Sequence, residues 1–257
     1  MECLGSLPLE KGRGLGYSAV NTSTWPYGLI VSSALDKNPT NLGQFLDSFL
    51  PAWAIYQGWF REQSVGSFLP LSSGSRLSRI PAWAHVLPWG ERSPGEMMKW
   101  LPPRIRRNRR AHGSPIGRLR TYRGIMLQDS LISGPSHGKQ FFDLCESIKN
   151  QGLWSSCNPD DPYKVWLLEE GPDSRWMAYS GNHRTGAIAA LGVAEVHAEL
   201  RGSVSKSNLE DWPNVANGWF TPKEAETIFD NLFGGFMVPA TDDLIARLSG
   251  SSGFETI

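Results

Sequence analysis

Tyr179-Ser180-Gly181-Asn182-His183-Arg184-Thr185-Gly186-Ala187-Ile188-Ala189-Ala190-Leu191-Gly192 reads as the end of a strand, a tight glycine turn and a short helix that opens with His and Arg. Gly181 predicts either a backbone with positive φ or close approach of a phosphate, both of which exclude a side chain. A helix start offers unpaired N–H groups and the positive end of the dipole. An imidazole and a guanidinium added there make a compact anion site suited to phosphate. Arg184 is the strongest candidate ligand. His183 is read as a phosphate contact, against the plainer reading of a histidine bonded to a neighbouring carbonyl. Asn182 is a simple N-cap or a phosphate contact, and Thr185 caps the helix or holds a phosphate oxygen or Mg²⁺-bound water. Ala187 to Leu191 form a core face, and Gly192 stops the helix.

Elements on either side extend this unit. Tyr163 to Leu168 read as a strand, Glu170-Gly171-Pro172-Asp173 as a turn and Arg175 to Tyr179 as a second strand, so a hairpin feeds the glycine turn. Ala194 to Leu200 read as a further strand. Upstream, residues 140–152 predict a helix with Phe141, Phe142, Cys145 and Ile148 on one face and Gly152 at its end. Gly134-Pro135-Ser136-His137-Gly138-Lys139 reads as a flexible anion-binding loop with Ser136, His137 and Lys139 as donors, or as a plain surface loop. It lacks the P-loop spacing.

Residues 80–90 read as a strand ending at Pro88, and Ser93-Pro94-Gly95-Glu96 as a capping box opening a helix through Trp100. Eight arginines, including Arg104, Arg118, Arg120 and Arg123, fall between residues 104 and 123. Such runs are usually solvated, but this one neighbours the predicted phosphate site, so Arg118, Arg120 and Arg123 are candidates for acidic substrate groups or nucleic acid. Residues 1–24 predict an irregular terminus. Residues 40–62 predict a helix capped by Asn41 and broken at Pro51, and residues 63–78 a Ser/Gly linker. Thr221, Pro222 and Glu224 open a helix over 221–233, and residues 249–257 read as a frayed tail.

The chain has 257 residues, enough for one large domain or one domain with appendages. Its 25 basic and 25 acidic residues cancel, so global charge argues for neither nucleic acid nor membrane. Eleven tryptophans, several beside Pro or Gly, predict an irregular aromatic core, with a stacking role open for a minority. Cys3, Cys145 and Cys157, an odd set without CxxC spacing, argue against a disulfide framework or a zinc site. Cys145 is expected in the core. Residues 1–20 carry no continuous apolar run, and no stretch approaches the roughly 18 apolar residues of a membrane span, so a reducing cytoplasm is the expected compartment.

The order of Leu144-Cys145-Glu146-Ser147-Ile148-Lys149-Asn150-Gln151-Gly152-Leu153, hairpin, Gly181-Asn182-His183-Arg184 helix with its Leu191-Gly192 ending, and strand resembles the ParB/sulfiredoxin-like superfamily. The resemblance implies an α/β (α+β) fold with a small mixed sheet over residues 79–205, a partly helical N-terminal extension over 1–78 and a C-terminal helical extension over 206–257. It also implies nucleotide phosphates on the Gly-x-x-Arg helix start. Known members are chromosome-partitioning proteins that bind CTP and DNA, sulfiredoxins that use ATP to repair oxidised cysteine, and free-serine kinases. Asn182 stands where sulfiredoxins carry their reactive cysteine. The residues after the last strand are too few for the usual DNA-reading module. The small-molecule kinases fit best. They carry an acid after the first strand in an L-x-P-x-E context, and here Leu87-Pro88-Trp89-Gly90-Glu91 places Glu91 one position further on.

The expectation is a phosphotransferase or nucleotide hydrolase using ATP (or ADP or CTP) with Mg²⁺ on a small hydroxyl-bearing metabolite. Glu91 would be the base, with His183 and Arg184 at the phosphates. Gly181, Asn182, Thr185, Ser136, His137 and Lys139 complete the expected nucleotide site, and no protein metal-ligand set is expected. The alternatives are a ParB-like DNA-binding protein or nuclease using the Arg104–Arg123 cluster, and a non-catalytic nucleotide-switch or interaction protein.

Overall fold

The computed structural model of the protein describes residues 3–14, 19–72, 74–100, 122–151, 163–179, 181–236 and 239–250, with backbone alone for 3–5, 122–133, 151, 239 and 240. The expected arginine cluster therefore lies outside the described residues, except for the backbone of Arg123. The described strands are β1 (Cys3–Pro8), β2 (Gly12–Arg13), β3 (Lys164–Glu170), β4 (Asp173–Ala178) and β5 (Glu195–Ser205). The helices are α1 (Pro26–Leu35), α2 (Leu42–Glu62), α3 (Val65–Phe68), α4 (residues 94–100), α5 (Tyr122–Gln151), α6 (Asn182–Ala190), α7 (Pro213–Ala216), α8 (Pro222–Gly234) and α9 (Pro239–Gly250). Among the described residues no helix is long and apolar enough to cross a membrane.

The five strands make one mixed sheet in the order β1-β5-β3-β4-β2. β3 and β4 form the expected hairpin, turning at Gly171 with φ +58°. The chain then passes through α6 and returns as β5, parallel to β3. Alternation along the strands gives the sheet two apolar faces. Val165, Trp176, Ala178, Val196 and Ala198 pack against Ile188 and Ala189 of α6 and against Trp25 ahead of α1. Leu168, Met177 and Val204 point the other way, into a larger core with Trp89, Trp212 and Phe229. That larger core also takes side chains from α2, α5, α8 and α9. The fold class is thus α/β with a mixed sheet, as expected.

Several local expectations are corrected. The N-terminus is not irregular: β1 pairs antiparallel with β5, and β2 pairs parallel with β4, so residues 3–13 close both edges of the sheet. Arg13 fastens β2 to α8, donating from Nε to Leu232 O at 2.9 Å and from Nη2 to Phe233 O at 2.8 Å, which caps the helix carbonyls. Pro51 does not break α2. Phe45, Phe49, Trp53, Tyr56 and Trp59 are all buried along one stripe. Each contributes about 1.5–3 kcal/mol, which outweighs the roughly 3 kcal/mol cost of an interior proline. Residues 63–78 are not a linker, since Val65, Phe68, Leu69 and Leu77 are buried. Residues 80–90 form no strand. They make a 3-10 turn at Ala82–Ala84 and then a loop whose carbonyls are taken by the Asn214 side chain instead of a neighbouring strand. α9 was not anticipated.

The capping boxes are present as expected. Ser93 N–H donates to Glu96 Oε2 at 2.8 Å, and Thr221 N–H to Glu224 Oε2 at 2.9 Å. Asn41 Oδ1 accepts from Gln44 N–H at 3.1 Å.

Candidate functional site

The hairpin delivers the chain to Gly181, whose φ of +84° and ψ of +34° turn it sharply into α6. A Cβ here would stand 3.1 Å from the Tyr163 ring, so the turn has neither the conformation nor the room for a side chain. Thr185 N–H donates to Gly181 O at 2.9 Å and closes the first helical turn. The N–H groups of Asn182, His183 and Arg184 belong to that turn and have no acceptor within the helix. The N-cap, Gly181, has no side chain to offer them, and it is exposed.

Around this end, the expected ligands divide. Arg184 is half-buried with its Nε out of solvent, close enough to Tyr163 to act on the phenol electrostatically. Burial holds the Tyr163 hydroxyl neutral by pushing its pKa up, partly opposed by the Thr185 hydrogen bond and by Arg184. Asn182 Oδ1 is also out of solvent and makes no hydrogen bond among the described residues, so it offers an acceptor to a ligand N–H or O–H. Thr185 is fully buried and turned inward: its Oγ1 bonds Tyr163 Oη at 2.5 Å and donates to Gly181 O at 3.1 Å. It braces the turn from inside and does not face a phosphate.

The structure brings His183 and His137 together across 46 residues, with His183 Nε2 and His137 Nδ1 only 2.6 Å apart. Their rings lie within 6° of parallel with centroids 4.9 Å apart, which is edge-to-edge contact. One proton fills the gap, and the facing nitrogens point at each other instead of out at an anion. Trp53 and Phe141 pack at 4.8 Å from His137 and His183 respectively. Ser136, His137 and Lys139 are not on a loop, because α5 runs through them. Lys139 is exposed and pairs with Asp143 at 2.5 Å.

A cavity of about 180 Å³ opens at the end of β4, lined by His85, Trp89, Glu91, Met97, Trp166 and Tyr179, among others. Asn182 follows Tyr179 by three residues, so no more than about 11 Å separates their Cα atoms. Glu91 sits on this rim with 63% of its side chain exposed, and Arg201 pairs with it at 3.4 Å. Arg201 also lies over the Tyr179 ring at 5.4 Å. Residues 87–92 are clamped by Asn214, which is 1% exposed. Its Nδ2 reaches Leu87 O at 2.9 Å, Gly90 O at 3.0 Å and Arg92 O at 3.1 Å, and its N–H donates to Pro88 O at 3.0 Å. His85 Nδ1 donates to Ala82 O at 2.8 Å, and burial lowers the pKa of its ring.

His85, Asn214, Trp166 and Arg201 carried no local motif and were missed. Only their distance in sequence from one another, joined by the fold, gives them a common role. A larger, open depression of about 810 Å³ between the β3 end and α8 is lined by charges that satisfy each other, Lys206 with Glu170 and Lys223 with Glu226.

The first-turn amides and the Arg184 guanidinium are the kind of donors that phosphate oxygens take, and Asn182 Oδ1 has no hydrogen-bond partner among the described residues. Mg²⁺ is usually held by one or two carboxylates together with phosphates and water. Glu91 is the one carboxylate lining the cavity, and the described residues hold no cluster of three or more His, Cys, Asp or Glu. Comparison with protein-family models, with characterised proteins and with solved structures finds no match.

Proposed function

We propose that the protein is a nucleotide-dependent phosphotransferase or nucleotide hydrolase of the ParB/sulfiredoxin-like type, acting on a small hydroxyl-bearing molecule. The observation that carries this reading is the glycine-led start of α6, with a cavity of metabolite size at the end of the strand that leads into it. The hairpin, glycine turn, helix and parallel strand in that order support the ParB/sulfiredoxin-like assignment. ATP or a related nucleotide would supply the transferable phosphoryl group. The first-turn amides, the α6 dipole and Arg184 would hold its negative charge, as helix starts hold phosphate elsewhere. Trp166, Trp89 and Met97 would keep water from the acceptor, which limits hydrolysis.

Calorimetric titration with ATP, ADP and CTP in the presence of Mg²⁺ tests this. Saturable binding is expected, and Arg184→Ala should weaken it by about 10- to 100-fold, the worth of one charge-assisted contact of about 1.5–3 kcal/mol. If no nucleotide binds, the reading fails. Weight then passes to the arginine run and nucleic acid, which would show binding that falls steeply with salt.

A further inference from the structure

We infer that the cavity beside Tyr179 is the acceptor subsite and that His85 Nε2, not Glu91, takes the acceptor's proton. This rests on the phosphotransfer reading above. The tautomer of the His85 ring is fixed by its neighbour. A carbonyl oxygen only accepts, so the 2.8 Å contact with Ala82 O requires the proton on Nδ1. In a neutral imidazole the other nitrogen, Nε2, then carries the lone pair. The 3-10 turn Ala82–Ala84 supplies that carbonyl from the residues just before the ring, so orientation and tautomer are set together.

The surroundings favour the neutral ring. Burial pushes its pKa down, and the Ala82 hydrogen bond only partly opposes this. The charged and titratable groups lining the same cavity are Glu91, Arg92 and Tyr179. Glu91 is drawn toward Arg201 of β5, and Arg92 lies over the Trp100 ring at 4.2 Å. Glu91 is largely solvated and its charge is already committed to Arg201, so it is poorly placed to collect a proton inside the cavity. A neutral imidazole works as a base near neutral pH, where proton-transfer catalysis is most effective.

The walls define the acceptor. At about 10–15 Å³ of cavity for each water-sized body, 180 Å³ admits on the order of ten non-hydrogen atoms. Trp89, Trp166 and Met97 present apolar surface, so the acceptor is a small alcohol with a compact apolar part. In the transfer, His85 Nε2 takes the hydroxyl proton as the alcohol oxygen bonds to the γ-phosphorus of ATP. The bond from that phosphorus to the β,γ-bridging oxygen breaks, the electron pair leaves on ADP, and His85 returns the proton to water.

Two measurements on the full chain test this. Imidazole ¹⁵N spectra should show His85 as the Nδ1–H tautomer, and its Nε2 resonance should move saturably on titration with glycerol as a hydroxyl probe. His85→Asn keeps an amide donor for Ala82 O and removes the acceptor nitrogen. It should lower phosphoryl transfer to small alcohols by about 10²- to 10⁴-fold while leaving ATP affinity within twofold. A proton on Nε2, a resonance indifferent to glycerol, or transfer by His85→Asn within threefold of wild type would each overturn the assignment. Because the spectra need no nucleotide, a glycerol response in a protein that binds no nucleotide would sink the phosphotransfer reading, and the acceptor role with it, and leave the cavity as a binding site for a small alcohol.

Discussion

Asn214→Ala is the substitution that most directly tests how the cavity is built. The side chain is 1% exposed, and its Nδ2 spans three carbonyls at 2.9, 3.0 and 3.1 Å. Two N–H hydrogens serve these three acceptors, so the net contribution is near two hydrogen bonds of about 1 kcal/mol each. Leaving those carbonyls without a donor adds to this, for a total of about 2–3 kcal/mol. For a chain of this size that corresponds to a fall in Tm of about 4–12 °C. Urea unfolding should show a lower midpoint at unchanged slope. Asn214→Asp is the sharper test, because it keeps the shape and turns a carboxylate oxygen toward three carbonyls. It should destabilise more than alanine does. Hydrogen exchange should accelerate in residues 87–92 in both variants before it does in the sheet. An Asp variant as stable as wild type, or an Ala variant within about 0.5 kcal/mol of it, would refute the clamp.

Two further outcomes follow from buried titratable groups. Burial raises the Glu224 carboxyl, but hydrogen bonds from Thr221 and Ser72 outweigh it and hold the group below its usual range. A depressed folded-state pKa contributes stability above the unfolded value of about 4.3, lost as pH falls through the folded value. Glu224→Gln should therefore lower stability at pH 7 and flatten the acid limb of the stability curve. A parallel downward shift at every pH would contradict this. Cys145 is fully buried and its thiol is pushed up to about 12, chiefly by desolvation. Peptide mapping should find it unlabelled by iodoacetamide in the native protein and labelled in urea, and native labelling would show the core to be open there.

How much of the fold was legible depended on the range of the interactions that make it. Capping boxes at Ser93 and Thr221 and the Asn41 cap are satisfied within three residues, so the sequence alone located them. The hairpin and the Gly181 turn are equally local. β1 and β2 were not legible, because Cys3-Leu4-Gly5-Ser6-Leu7-Pro8 has no β-branched run. Its strand character comes from pairing with β5, nearly 200 positions away. The Gly134–Lys139 segment failed in the opposite sense. Its Gly and Pro read as a loop, yet Gly138 is what allows α5 to approach α2, since a Cβ there would fall 2.4 Å from Leu46. Packing overrode propensity at that position.

The same division runs through the candidate site. The proposed anion-binding end belongs to one continuous stretch, and short-range chemistry explains it: a glycine that permits the turn, first-turn amides with no acceptor within the helix and an arginine two residues into the helix. Sequence reasoning overreached by treating every polar side chain in that stretch as a ligand. Thr185 and His183 are drawn inward, to Tyr163 and His137, and those partners lie 22 and 46 residues away. The cavity is non-local throughout. His85 and Glu91 come from a loop, Trp166 and Tyr179 from the hairpin, and the loop is held by Asn214, 122 to 127 residues beyond the carbonyls it binds. The proposed phosphate site is thus a property of a short motif. On the proposed function, the identity of the acceptor depends on how residues 85–97 are held against β4, so variants at Asn214 should change acceptor use and leave nucleotide affinity in place.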